Sequence, residues 1–316
     1  MTPVPGRIEV VVVNWRRADL TIECVESLRG QADELGAVVT VVDNASGDGS
    51  AERLRAALPG IRVLESPDNG GFGTGVDLAA AASTADVLVL LNNDAVAEPG
   101  FLTALTAPVL DGSVTGATTA RILLRSEPGE RVLTNSTGNV VDRAGNGGDR
   151  DWLVPHPAPA EPAVFGFCGG ACAIAMPAFR AAGGFDESLF MYYEDTDLSW
   201  RLRRLGHDIR FVGDAVAVHR HASSLGTESE GFVVANTRNR LVVAVKNAAW
   251  PVVARAAARA VVRTVLDTVA RDPRSRRRAR WERRALAQAA TRLPAALRER
   301  RTIDRTATAP RPRTTT

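Results

Sequence analysis

Cysteine is scarce: Cys24, Cys168 and Cys172 are the only three among 316 residues. An odd count without a leader-like N-terminus speaks against a disulfide framework and for a cytoplasmic protein. Cys168 and Cys172 stand four apart in "GFCGGACAIAM". No second Cys or His pair has zinc-type spacing nearby, so small buried thiols are expected. No apolar run reaches the ~18 residues needed to span a bilayer. Lysine is missing from residue 251 onward, where 18 Arg face 5 acids for a net +13, whereas the first 250 residues hold 21 basic and 31 acidic residues for a net −10. An acidic body thus carries a basic tail, either a solvated extension or an attractor of anionic lipid or nucleic acid. Aromatics make up only 5%. With an acidic body, no aromatic platform and no recognition motif, a sequence-specific nucleic-acid reader is not expected.

What is present is apolar residue, 45% of the chain, enough for a substantial core. The length suits one large domain with extensions, and no internal repeat is visible. "IEVVVVNW" (8–15) is a continuous β-branched run, as in a strand covered on both faces. "RADLTIECVESLRG" (17–30) has helical spacing and is expected to stop at Gly30. Strands follow at 38–50, ending in a turn-rich polar loop, and at 61–66 and 86–95; helices follow at 51–58, 73–83 and 99–110, the last opened by Pro99. Four βα units imply a right-handed, doubly wound, mostly parallel α/β sheet over about 8–112. From 113 to 250 the pattern is mixed: strands without intervening helices, a Gly- and Asp-rich loop, the helix "DTDLSWRLRRLG" and the strand "DIRFVGDAVAVH". The reading is one domain over 1–250, a basic helical extension over 251–302 and a disordered tail over 303–316.

Ligands of open α/β sheets sit beyond the C-terminal strand ends. Three ends here are polar: Asn14-Trp15, Asp43-Asn44 and Asn92-Asn93-Asp94. One could be turn chemistry; three together point to a binding edge. "DNGGFGTG" (68–75) is not a dinucleotide fingerprint, because its glycines read G-x-G-x-G and follow the third strand. It is either a phosphate-approaching loop at a helix N-terminus or a plain tight turn. Asp94 ends an aliphatic strand, where a carboxylate needs a partner such as a hard cation; a helix cap is the alternative, with Glu98 the better cap. His219, followed by His221, ends another strand and is either structural or a ligand. "MYYEDTDLSW" (191–200) crowds Glu194, Asp195 and Asp197 into four positions. One could cap the helix or serve its dipole, but three exceed that need.

In this order and spacing, "VVVNW…VVDNASGDGS…NGGFGTG…LNNDA…GGFDESLFMYYEDTDLSWRLRRLG…VHRHASS" resembles the inverting glycosyltransferases of family 2, of GT-A fold, and among them the rhamnosyltransferase-like members. The likeness runs from about Ile8 to about Trp250. It implies a GT-A-type domain with a mixed-strand acceptor half, and transfer of a hexosyl group, rhamnosyl first, from a dTDP- or UDP-linked donor to a glycan, lipid-linked glycan or other hydroxyl acceptor. By resemblance Asn14, Trp15, Asp43, Asn44, Ser46, Gly71, Asn93 and Asp94 would hold the donor nucleotide. Asp94 and His219 would hold Mg²⁺ or Mn²⁺. Gly184, Phe185, Asp186, Glu187 and Asp197 would face acceptor and sugar. Asp195 would be the catalytic base with Glu194 beside it. Glu194 and Asp197 would position the acceptor, cap the helix or pair with Arg201. Asp77 stands where the family's loop has Asn, so it must turn away from the diphosphate or bind the metal. The rivals are a non-catalytic nucleotide-sugar-binding protein and a nucleotidyltransferase. The latter needs a Gly-rich basic loop where this chain reads "NWRRADL". The Arg-studded run from 233 on is either an amphipathic helix packed on the domain or one lying on an anionic membrane at the cytoplasmic face.

Overall fold

The computed structural model describes residues 7–127, 129–220, 229–312 and 314. The first half alternates strands and helices: β1 (Ile8–Asn14), α1 (Ala18–Leu35), β2 (Val38–Asp43), α2 (Ser50–Ala57), β3 (Arg62–Glu65), α3 (Phe72–Ala81), β4 (Val87–Leu91), β5 (Ala95–Ala97) and α4 (Phe101–Leu110). The second half continues with β6 (Ala117–Leu124), β7 (Thr134–Ser136), β8 (Asn139–Val141), β9 (Gly147–Asp149), β10 (Ala171–Ala175), α5 (Met176–Ala181), α6 (Glu194–Arg204) and β11 (Ile209–His219). Three helices close the chain: α7 (Glu230–Asn247), α8 (Trp250–Val269) and α9 (Pro273–Thr306).

The main sheet runs β3-β2-β1-β4-β10-β6-β11-β5, with β7 added to β6. Six of the nine strands point one way; β10, β5 and β7 oppose them. β1, β2 and β4 are nearly pure Val, Ile and Leu because helices cover both faces, and their side chains divide between two cores. The expected mostly parallel α/β sheet is thus observed. The strand ends Asn14 and Asp43 lie side by side in register, and β4 brings Asn92–Asp94 to the same edge.

Four local expectations change. α1 runs past Gly30 and ends at Leu35, with Gly36 at φ 63° as its left-handed cap. One mid-helix glycine costs only about 1 kcal/mol, and Leu28 and Ala32 on either side are buried. Pro99 lies ahead of α4 in a turn with Gly100, so neither it nor Glu98 opens the helix. β10, read in the sequence only as a thiol-bearing stretch, is an antiparallel strand between β4 and β6; five residues rich in Ala give little β signal. Its Cys172 is buried, Cys168 is half-buried, and both are free with Cys24.

The last helices form one unit that starts at Glu230 rather than 251. The run is broken at Ala248-Ala249 into α7 and α8. Leu241, Val245, Val252, Ala256 and Ala289 pack with Tyr193 and Trp200 in a third core. The expected disordered tail also changes: α9 continues to Thr306, and the amides of Thr308 and Ala309 donate to the Arg204 carbonyl at 2.9 and 3.1 Å. Among the described residues no helix is long and apolar enough to cross a membrane.

Candidate active site

At the β1–β2 edge the polar strand ends hold one another. Asn14 is fully buried. Its amide donates to Asp43 Oδ1 at 2.6 Å and Ser46 Oγ at 3.3 Å, and its Oδ1 accepts Thr21 Oγ1 at 2.8 Å. Ser46 donates its amide to Asp43 Oδ2 at 3.0 Å and its hydroxyl to Oδ1 at 2.6 Å. A carboxylate offers about four lone pairs, so Asp43 keeps about one, on Oδ2. Asn14, expected at the pocket surface, shapes it from behind because every polar atom it has is engaged. Asn44 donates to Asn69 Oδ1 and the Gly71 carbonyl at 2.9 and 3.0 Å, while its own Oδ1 is buried without a partner. Trp15 is 45% exposed beside this edge, with the Arg16 guanidinium 5.2 Å from its ring centre. Asn93 donates to Thr21 Oγ1 at 3.1 Å and so joins the β4 end to the same network.

The glycine loop is explained by close approach. A Cβ on Gly71, at φ 88°, would sit 2.1 Å from the Phe190 carbonyl oxygen, and one on Gly73 would sit 2.6 Å from Phe185 Cβ. Asp77 turns away from the strand ends and accepts the Phe185 amide at 3.1 and 3.2 Å. Burial pushes its carboxyl up to about 7 against that amide's pull.

The "GGFDE" segment is mostly structural. Phe185 is core, Gly184 is buried with its carbonyl accepting Arg201 Nη1 at 2.6 Å, and Asp186 caps the turn at Ser188 and pairs with Lys246. Of the five residues expected at the acceptor, only Glu187 is exposed. Asp197 is corrected as well. It is neither the helix cap, which is Tyr193, nor open to a substrate. Its fully buried carboxylate meets Arg201 Nε at 2.8 Å, Lys246 Nζ at 3.1 Å and Asn247 Nδ2 at 2.7 Å. The Arg201 pairing was among the sequence-based options. Burial alone would raise the Asp197 carboxyl; Lys246 and Arg201 outweigh it and hold it below the usual carboxylate range.

Asp94 and His219 meet at the far end of the edge. His219 Nε2 lies 2.8 Å from Asp94 Oδ1, and its Nδ1 lies 2.7 Å from Asn135 Oδ1. Two ligands bound at right angles, each about 2.1 Å from a cation, lie about 3 Å apart, so this pair has the spacing for one ion. No group of three His, Cys, Asp or Glu side chains gathers for a metal among the described residues. A cation here would take its remaining ligands from a diphosphate or water. His221 lies outside the described residues.

The acid pair opens α6. Glu194 and Asp195 lie in the helix's first turn, where the dipole favours negative charge. Asp195 accepts the Gly169 amide on Oδ2 at 3.1 Å and the Thr196 amide on Oδ1 at 2.6 Å. Burial raises both carboxyls, Glu194 further than Asp195; the charge of Asp195 adds to the first and that of Asp149 to the second. Glu194 Oε2 is buried without a partner. Glu194 therefore holds the proton and Asp195, bound by amides, holds the charge. The turn at Gly169-Gly170 connects the two ends of the site: Gly169 serves Asp195, and the Gly170 carbonyl accepts the Asn92 amide at 2.9 Å, two residues before Asp94.

Sequence reasoning missed several supports. Phe190, Tyr192 and Tyr193 all have positive φ, 62°, 68° and 72°, a strain of about 1–3 kcal/mol each. The Asn239 amide on α7 holds this segment, donating to the Leu189, Met191 and Tyr192 carbonyls at 2.9, 2.8 and 2.8 Å. Asn135 and Asn239 carried no signal. The glycine pair in "CGGAC" did, since two glycines at a strand start mark close backbone approach.

A sequence model described as Glycosyl transferase family 2 matches residues 9–160. The chain is 26% identical over 242 residues to the N-acetylglucosaminyl-diphospho-decaprenol L-rhamnosyltransferase of Mycobacterium tuberculosis, covering 69% of this chain and 78% of that one. It is 27% identical over 219 residues to the pre-mycofactocin glycosyltransferase of the same organism, covering 69% and 43%. In fold it is similar to a mannosyltransferase from Pyrobaculum calidifontis solved with GDP-Man and Mn²⁺, with a TM-score of 0.55, 17% identity and 92% and 88% of the two chains covered. Residues 9–160 thus match the family 2 glycosyltransferase model, the relatives similar in sequence are glycosyltransferases, and the fold is shared with a solved mannosyltransferase.

Proposed function

We propose that the protein is an inverting hexosyltransferase that moves a rhamnosyl group from a dTDP-linked donor, or a related hexose from a UDP-linked one, to a hydroxyl of a glycan or lipid-linked glycan. The observation that carries this reading is the linkage of Asp195 to the β4 end through Gly169-Gly170. It sets an ionised carboxylate and a cation-compatible Asp–His pair on one connected backbone path. The rhamnosyl choice rests on the relative's name.

In the proposed reaction Asp195 Oδ2, which keeps a lone pair beside the Gly169 bond, takes the acceptor hydroxyl proton. The hydroxyl oxygen forms the new bond to the anomeric carbon as the bond to the diphosphate oxygen breaks, so one displacement inverts the centre. Asp94 and His219 would hold Mg²⁺ or Mn²⁺, whose charge stabilises the departing diphosphate. Asn44 Oδ1 and the spare lone pair of Asp43 are acceptors for the base or ribose, and Trp15 supplies an exposed ring face at the same edge.

The test is a panel of dTDP- and UDP-hexoses, with product mass and nucleotide release measured with and without Mg²⁺ or Mn²⁺. Turnover is expected only with metal. Metal-independent turnover would remove Asp94 and His219 from this role, and no turnover with any donor would favour a non-catalytic binder. Asp94→Ala is expected to weaken metal-dependent donor binding at least about tenfold, the loss that even outer-shell ligand partners show. Calorimetry giving unchanged affinity would contradict the assignment.

A further inference from the structure

α8 presents two faces of opposite fate. Val252, Ala256, Ala260 and Thr264 are buried against the neighbouring helices. The other side carries Trp250, Val261, Val262, Val265, Leu266 and Val269, between 51% and 70% exposed. Ala254 and Ala258, also exposed, continue the stripe between Trp250 and Val261. These positions recur at helical spacing along nearly the whole helix, with the exposed Arg255 and Arg259 flanking them in its N-terminal half. A face of this length left to water is unusual for a stable surface and marks a docking site.

The edge of the stripe is basic. At the α8–α9 junction a groove of about 420 Å³ is lined by Thr268, Pro273, Arg276, Ala279, Arg280 and Arg283. The three arginines lie one turn apart on one side of α9. None of them forms an ion pair among the described residues, whereas the nearby acids Asp267 and Glu282 are already taken by Arg263 and Arg278. Arg283 reaches only the Thr268 hydroxyl, at 3.2 Å. Arg276 Nε donates to the Ala270 carbonyl at 3.0 Å. An apolar stripe bordered by guanidinium groups without a carboxylate partner among the described residues is complementary to an anionic lipid surface, acyl chains against the stripe and phosphates against the arginines.

We propose that α8 lies in the plane of an anionic bilayer surface, with its Trp250–Val269 stripe in the headgroup–acyl boundary and Arg276, Arg280 and Arg283 on lipid phosphates. A second copy of the chain seated on the same stripe is the rival occupant. The proposal does not depend on the transfer chemistry, so the test uses binding alone. The full chain is floated with phosphatidylglycerol-containing vesicles and with pure phosphatidylcholine vesicles, and its oligomeric state is measured by sedimentation. Binding to the anionic vesicles, weakened by salt, is expected. The triple variant Arg276→Glu, Arg280→Glu, Arg283→Glu should lose at least about a hundredfold in partitioning. Val262→Glu with Leu266→Glu, both at exposed positions, should abolish binding while leaving the circular dichroism spectrum and donor-nucleotide binding unchanged. Failure of the wild type to float with anionic vesicles, or flotation of the Val262→Glu, Leu266→Glu variant, would overturn the proposal. So would a wild-type dimer that the same variant dissolves without any vesicle binding.

Discussion

Asp195→Asn is expected to lower kcat by about 10²–10⁴-fold, the range supplied by a positioned base, while donor binding by calorimetry stays within twofold. The asparagine keeps the shape of the side chain, and its single oxygen can accept the Gly169 or the Thr196 amide but not both, so the fold around α6 should hold with one hydrogen bond fewer. What is lost is the ionised atom that takes the proton. The pH profile separates this from a structural effect. Burial raises the Asp195 carboxyl, so wild-type kcat/KM should fall as pH drops from neutral toward the ordinary carboxylate range, and that limb should vanish in the variant. Glu194→Gln should keep most of the turnover, because Glu194 already carries a proton and the amide preserves its shape. Robust turnover by Asp195→Asn, or loss by Glu194→Gln as deep as by Asp195→Asn, would contradict this division of roles. The two acids interact, so the limb belongs to the pair as a whole.

Lys246→Met is expected to cost about 3–5 kcal/mol of stability, the penalty for breaking a buried charge pair by removing one partner. Lys246 is the sole lysine in the sequence, and it sits on α7 with its side chain only 2% exposed. It joins Asp186 of the "GGFDE" segment, Asp197 of α6 and Glu299 of α9, the last at 2.8 Å. Removing it leaves Asp197 with Arg201 and Asn247 alone in the interior. The Asp197 carboxyl is held low in the folded state, so its contribution is present above the usual carboxylate pKa and is lost as pH falls through the lowered value. The gap between wild type and Lys246→Met in denaturant midpoint should therefore shrink in acid. A gap below about 1 kcal/mol at neutral pH, the worth of a surface pair, would show that the cluster is not an anchor.

The nucleotide half was legible because β1, β2 and β4 are aliphatic runs with helical spacing between them. Asn14, Asp43 and Asp94 could be placed at strand ends from that pattern alone. The "GGFDE" assignment fared worse, since a short motif cannot show that Phe185 packs against Phe72 and Phe179 or that Asp186 belongs to Lys246. Long-range partners of this kind lie 60 residues apart in the chain for Lys246 and Asp186. The acid triplet was half legible. Crowding predicts that one carboxyl holds a proton, but which one depends on the Gly169 amide, contributed by a turn that precedes a strand too short and Ala-rich to read. Asn239 was invisible for a related reason: its work is to hold a strained backbone segment 47–50 residues earlier.

The most direct test of the central claim is the anomeric configuration of the transferred sugar, read by NMR on product made by the wild-type chain from a donor of known anomer. One in-line displacement with Asp195 as base predicts an inverted centre. A retained centre would require a different chemistry and would contradict the account.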